Sequence, residues 1–160
     1  MGEAKRQLSG AATLGEDSAV RLEAHRDDGG TLRVWRQPGV RIYSTRVVGY
    51  LSIGLARHII DYVDPLFEGG RVLGFHDWFS MTGYDSQSRT QLTEWSLRRS
   101  KLAQINIGTR AKLVTMGVTV AALALGAHVL RRFGSERDLH AAYGEALLAS
   151  RAGRVGVRAP

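Results

Sequence analysis

The residue types best suited to chemistry fall in one stretch, Phe75-His76-Asp77-Trp78-Phe79-Ser80-Met81-Thr82-Gly83-Tyr84-Asp85-Ser86-Gln87-Ser88-Arg89. An apolar run ends there in an acid, hydroxyl-bearing residues follow, and Asp85-Ser86 reads as the start of a helix. Hydroxyls presented at a helix N-terminus can hold a phosphate, either bound or covalently attached. Ser86 is the candidate phosphoacceptor, and His76, Asp77, Thr82, Tyr84, Asp85 and Ser88 form the surrounding switch loop. Asp and Ser are also preferred N-caps whether or not anything binds, so capping alone accounts for the pair equally well.

His76-Asp77 has the composition of a general base with an orienting carboxylate. Adjacent residues of a strand point to opposite faces, however, and a structural role for both is the stronger reading. A second candidate is cationic. Arg46, Arg110, Lys112 and Arg132 lie at or just beyond expected strand ends, where an open α/β sheet collects ligands, and Arg89 lies one helical turn beyond Ser86. Such a rim can hold an anion, and arginines at strand ends can equally reach solvent.

These residues need a scaffold to position them. The chain has 160 residues, 44% of them hydrophobic, which suits one domain with one core. There is no cysteine, so disulfides, thiolate metal sites and cysteine nucleophiles are excluded; a reducing, cytoplasmic setting is expected. The histidines have no ligand spacing, and neither a metal nor another cofactor is expected. The apolar stretch Leu113 to Ala127 is shorter than the roughly 20 residues that span a bilayer, so a buried helix is expected there. The formal charge of +7 comes from dispersed arginine rather than a basic stripe with interleaved aromatics, which argues against nucleic acid as a partner. Phosphate-binding P-loop, dinucleotide-fingerprint and nucleophile-elbow motifs are all missing, leaving a non-catalytic role favoured.

Composition divides the chain into a flexible leader over 1–30, a folded domain over 31–150 and a basic tail over 151–160. Thr31 to Arg36 and Val40 to Arg46 alternate around Gln37-Pro38-Gly39 and predict a hairpin. Val48, Leu51, Leu55, Ile59, Val63 and Leu66 predict a first helix. A short strand, Val72 to Phe75, leads into the loop described above. A helix from Asp85 or Ser86, a strand over Ala103 to Gly108, a helix over Ala111 to Leu125, a strand over Ala127 to Phe133 and a helix from Ser135 follow. The order β-β-α-β-α-β-α-β-α predicts an α/β domain with a mixed, mostly parallel sheet of about five strands.

The element order, the stretches Phe75-His76-Asp77-Trp78 and Met81-Thr82-Gly83-Tyr84-Asp85-Ser86, and Lys112 to Val118 in the third helix together resemble the STAS domain. The resemblance spans Leu32 to Leu148 and is nearest to the STAS/SEC14-like, SpoIIAA-like bacterial proteins. It implies a regulatory module of the anti-sigma-factor-antagonist type, with Ser86 phosphorylated by a partner kinase and an anti-sigma-like regulator as docking partner. A homodimer through the apolar third helix is also open. The alternative reading is a module for a small ligand, an anionic metabolite, nucleotide or lipid, held at the cationic rim or in an apolar cleft beneath the first and third helices.

Overall fold

A computed structural model of the chain describes residues 14–153. Six strands form one sheet in sequential order: β1 (Arg21–Arg26), β2 (Gly30–Arg36), β3 (Ile42–Leu51), β4 (Val72–Tyr84), β5 (Ala103–Gly108) and β6 (Leu130–Phe133). The first three run antiparallel and the last four, counting β3, run parallel. The parallel crossovers are made by α1 (Ile53–Val63), α2 (Ser86–Arg98) and α3 (Lys112–Leu125), and α4 (Glu136–Arg151) closes the chain. This is the α/β mixed sheet that the alternation of strand and helix signals implies, with one strand more.

The additional strand is β1. It lies in the stretch that composition assigns to a flexible leader over 1–30. Burial does not hold β1, whose residues are exposed or half-buried. Main-chain pairing with β2 does, closed by a turn in which the Asp27 carboxylate accepts from Gly29 and Gly30 N–H at 3.0 and 2.9 Å. Ahead of it, Trp35 Nε1 donates to the Leu14 carbonyl at 3.0 Å, and Leu14 is fully buried. The rest of the leader, 1–13, and residues 154–160 of the basic tail lie outside the described residues.

Two elements depart from the helix and loop assignments. Val48 to Leu51 continue β3, and α1 begins only after Ser52, whose hydroxyl accepts from Leu55 N–H at 3.1 Å in a regular N-cap. Residues 76–84 are strand rather than loop. β4 keeps pairing with β3 through two register shifts, where Arg46↔Asp77 becomes Val48↔Ser80 and Gly49↔Met81 becomes Tyr50↔Gly83. Each shift inserts one residue into β4, a bulge that breaks the period of two and hides a strand from pattern reading.

β4 supplies side chains to both faces of the sheet. Leu73, Phe75 and Phe79 pack under α4 with Leu14, Trp35, Leu139 and Tyr143. Val72, Trp78 and Met81 face α1, α2 and α3 in the larger cluster. On α3 the outer face is apolar as well, with Leu113, Met116, Val120 and Leu123 exposed. No helix among the described residues is long and apolar enough to cross a membrane.

Candidate functional site

The larger cluster is incompletely filled. Between the sheet and the helices lies a cavity with about 70 Å³ of space open to the centre of a water molecule. That is several times the roughly 10–15 Å³ one water needs on the same measure. Its walls are apolar: Leu51 from β3, Met81 from β4, Ile105 and Ile107 from β5, Leu92 from α2, and Val114, Val118 and Ala121 from α3. Of its lining residues, only Arg89 carries a charge at neutral pH.

Its floor holds a polar chain that sequence reading missed. Tyr43 Oη lies 3.0 Å from His76 Nε2, Thr45 Oγ1 lies 2.7 Å from His76 Nδ1, and Trp78 Nε1–H donates to Thr45 Oγ1 at 3.1 Å. All four side chains are buried. Strand register assembles them: Tyr43 and Thr45 are alternate residues of β3, His76 and Trp78 alternate residues of β4, and Thr45 is the direct partner of His76. Gly74 makes room, since a Cβ there would stand 2.4 Å from Tyr43 Oη. Burial pulls the His76 pKa down to about 3, so the ring is neutral at physiological pH; burial likewise pushes the Tyr43 hydroxyl above its usual range. The available signal was Tyr43 and Thr45 at alternate positions of a predicted strand. It identifies nothing until β3 is known to lie beside β4.

The residues expected to form the switch loop do not gather at one place. His76 faces the cavity, while Asp77 points to the α4 side and receives Arg46 Nε and Nη2, each at 2.9 Å. Thr82 is exposed on β4, and half-buried Tyr84 packs on α3 at Gly117, where a Cβ would stand 2.3 Å from its hydroxyl. Ser88 is fully buried, its hydroxyl donating to the Leu51 carbonyl at 3.1 Å. Asp85 holds the N-cap position of α2 without a side-chain capping bond. Its carboxylate instead accepts from Ile53 N–H, the first residue of α1, and from Tyr50 O–H, both at 3.0 Å. The expectation that Asp85 or Ser86 caps its own helix is therefore corrected: Asp85 caps the preceding one. Ser86 is exposed as the first residue of α2.

The cationic rim is dispersed too. Arg46 is committed to Asp77 and also approaches buried Glu16 at 3.6 Å, and Arg110 pairs with Glu136 at 2.8 Å. Arg89 lines the cavity from α2, and Lys112 and Arg132 are exposed. Among the described residues there is no group of three or more His, Asp or Glu side chains able to hold a metal.

No family model matches the chain, and no curated protein matches it. Among solved structures it is similar to an uncharacterized protein of the DUF3478 family with a SpoIIAA-like fold from Shewanella loihica PV-4. The identity is 13%, the TM-score 0.49, and the match covers 74% of this chain and 89% of that one.

Proposed function

We propose that this protein is a non-catalytic binding module for a small, largely apolar ligand, held between the sheet and helices α1 to α3. This is the lipid-like end of the small-ligand reading, in its apolar cleft rather than at its cationic rim. The observation behind it is the cavity itself, an apolar space above a buried, neutral polar chain. Ligand sites are typically apolar enclosures with a few placed polar groups. The geometry favours binding over catalysis because both ring nitrogens of His76 are already engaged by hydroxyls, leaving no free base. Titration of methyl-labelled protein with cumene tests this. Shifts should centre on Leu92, Val114, Val118 and Leu125, which line the cavity; shifts absent at saturation, or confined to the exposed face of α3, would sink it.

A second reading has its own observation, the exposure of Ser86 beside Asp85. In that reading a kinase modifies Ser86 and the change governs docking of a protein partner such as an anti-sigma-like regulator. A phosphate adds about −1.5 to −2 charges. Next to the carboxylate that caps α1, it would loosen the junction of α1 and α2, the latter a wall of the cavity. Mass spectrometry after incubation with cell lysate and ATP should then place a phosphate on Ser86, and Ser86→Asp should change the captured partners relative to Ser86→Ala. An unmodified peptide, or identical captures, would remove this reading.

A further inference from the structure

We propose that the polar chain under the cavity offers its occupant a single hydrogen-bond donor, the Tyr43 hydroxyl, so that the ligand is an apolar molecule carrying one neutral acceptor such as a carbonyl oxygen. Its binding fixes His76 as the Nε2–H tautomer. The inference rests on the cavity being a ligand site and names what that site selects.

The argument is a count of protons. With a neutral imidazole, Trp78, Thr45, His76 and Tyr43 carry one polar side-chain proton each. They are linked by three contacts, Trp78 to Thr45 at 3.1 Å, Thr45 to His76 at 2.7 Å and His76 to Tyr43 at 3.0 Å. Each contact uses one proton, so one remains. Indole nitrogen only donates, which fixes the first contact and leaves two arrangements.

If His76 carries its proton on Nδ1, it donates to Thr45, Tyr43 donates to Nε2, and the Thr45 proton is left over. Thr45 is fully buried, does not line the cavity and has no further acceptor among the described residues. If the proton is on Nε2, Thr45 donates to Nδ1, His76 donates to Tyr43, and the Tyr43 proton is left over. Tyr43 does line the cavity. A buried donor without an acceptor is costly, so an acceptor in the cavity stabilises the second arrangement. The polar chain itself carries no charge, so at the Tyr43 hydroxyl it offers a carboxylate one hydrogen bond and no counter-ion; Arg89, the one charged lining residue, stands on α2.

Acetophenone and cumene, of similar size, with a carbonyl in the first where the second has CH–CH3, test the idea on the full chain. Their affinity ratio is measured in the wild type and in Tyr43→Phe, which cancels their different hydration. The preference for acetophenone should fall roughly 5-fold in the variant, the worth of one neutral hydrogen bond. Independently of any variant, long-range ¹H–¹⁵N spectra should show His76 as the Nε2–H tautomer once acetophenone is bound. Two probes that bind with an unchanged ratio, or an Nδ1–H tautomer in the acetophenone complex, would overturn this inference and leave the ligand site standing. Failure of both probes to bind would remove the site and the inference together.

Discussion

The two faces of β4 are built to different standards. Under α4, Leu73, Phe75 and Phe79 meet Leu14, Trp35, Leu139 and Tyr143, with Phe75 edge-on to Tyr143 at 5.3 Å between ring centroids. Under α1 to α3 the same strand presents Gly74, His76 and Trp78, and space remains above them. One strand thus carries an apolar cluster bordered by the buried Asp77–Arg46 pair on one side and a buried polar chain beneath a cavity on the other. Stability alone asks only for the first. A neutral histidine, a tyrosine, a threonine and a tryptophan held in mutual register, where simple apolar side chains would serve, are the contrast on which the ligand-binding proposal rests.

The widest gap between the faces should open on truncation. Phe75→Ala removes a side chain only 1% exposed and should cost about 3–5 kcal/mol in denaturant unfolding. Leu92→Ala, half-buried and already bordering empty space, should cost less than about 2 kcal/mol. Equal losses would mean that the two faces are packed alike.

Acid should separate them next. The His76 pKa falls from 6.5 in the unfolded chain to about 3 in the folded one, so the unfolded state binds the extra proton between these values. Stability is therefore whole above pH 6.5 and declines as pH falls, with a slope approaching about 1.4 kcal/mol per pH unit. Asp27 and Asp64, held low chiefly by hydrogen bonds from Ser52 and Trp95, give up their contributions only as pH falls below 3.8. Urea unfolding at pH 7, 6 and 5 should show the slope in the wild type and its loss in His76→Phe. A slope that survives the substitution would assign it elsewhere.

Filling the space is a gentler test. Ala121 lines the cavity from α3, so the two added methyl groups of Ala121→Val have somewhere to go. The change in stability should stay within about 1 kcal/mol, against the 1–3 kcal/mol typical of overpacking a tight core. Cumene shifts should nevertheless disappear. A large destabilisation would show that the cavity is not available to a ligand.

What the sequence disclosed and what it hid follow the same division. Helices α2, α3 and α4, strand β5 and the hairpin of β2 and β3 are legible because local residue patterns announce them, with a true side-chain cap at Ser135 for α4. β1 is not, because it is an edge strand held by main-chain pairing and by the Asp27 turn rather than by an apolar face. The end of β4 is not, because two bulges break its alternation at the residues that were read as a loop. For the site, local pattern points to His76 but pairs it with Asp77, its neighbour in sequence. Its working partners, Tyr43 and Thr45, come from 33 and 31 residues away, across a parallel pairing with no local signature. Asp85 was likewise noticed for the helix it precedes, while its carboxylate serves α1.

The smallest effect is expected at Arg110, which looks equivalent to Arg46 in sequence and is not in structure. Arg110 pairs with Glu136 in the open, their side chains 62% and 48% exposed. Arg46 is 23% exposed and faces an Asp77 carboxylate that is 11% exposed, with Glu16 behind it at 6%. An exposed pair gains little because water screens the charges and two long side chains lose freedom. Losing the Arg46 cation leaves the buried Asp77 carboxylate uncompensated, while Glu16 keeps its pairing with Arg33. Arg110→Ala should therefore shift stability by less than about 1 kcal/mol, most of it vanishing in high salt, while Arg46→Met should cost roughly 3–5 kcal/mol and resist salt. Denaturant unfolding at low and high sodium chloride reads both. If Arg110 proved the costlier loss, the rim would be holding the α4 face together, and the contrast between the α4 face and the cavity face would have to be drawn elsewhere.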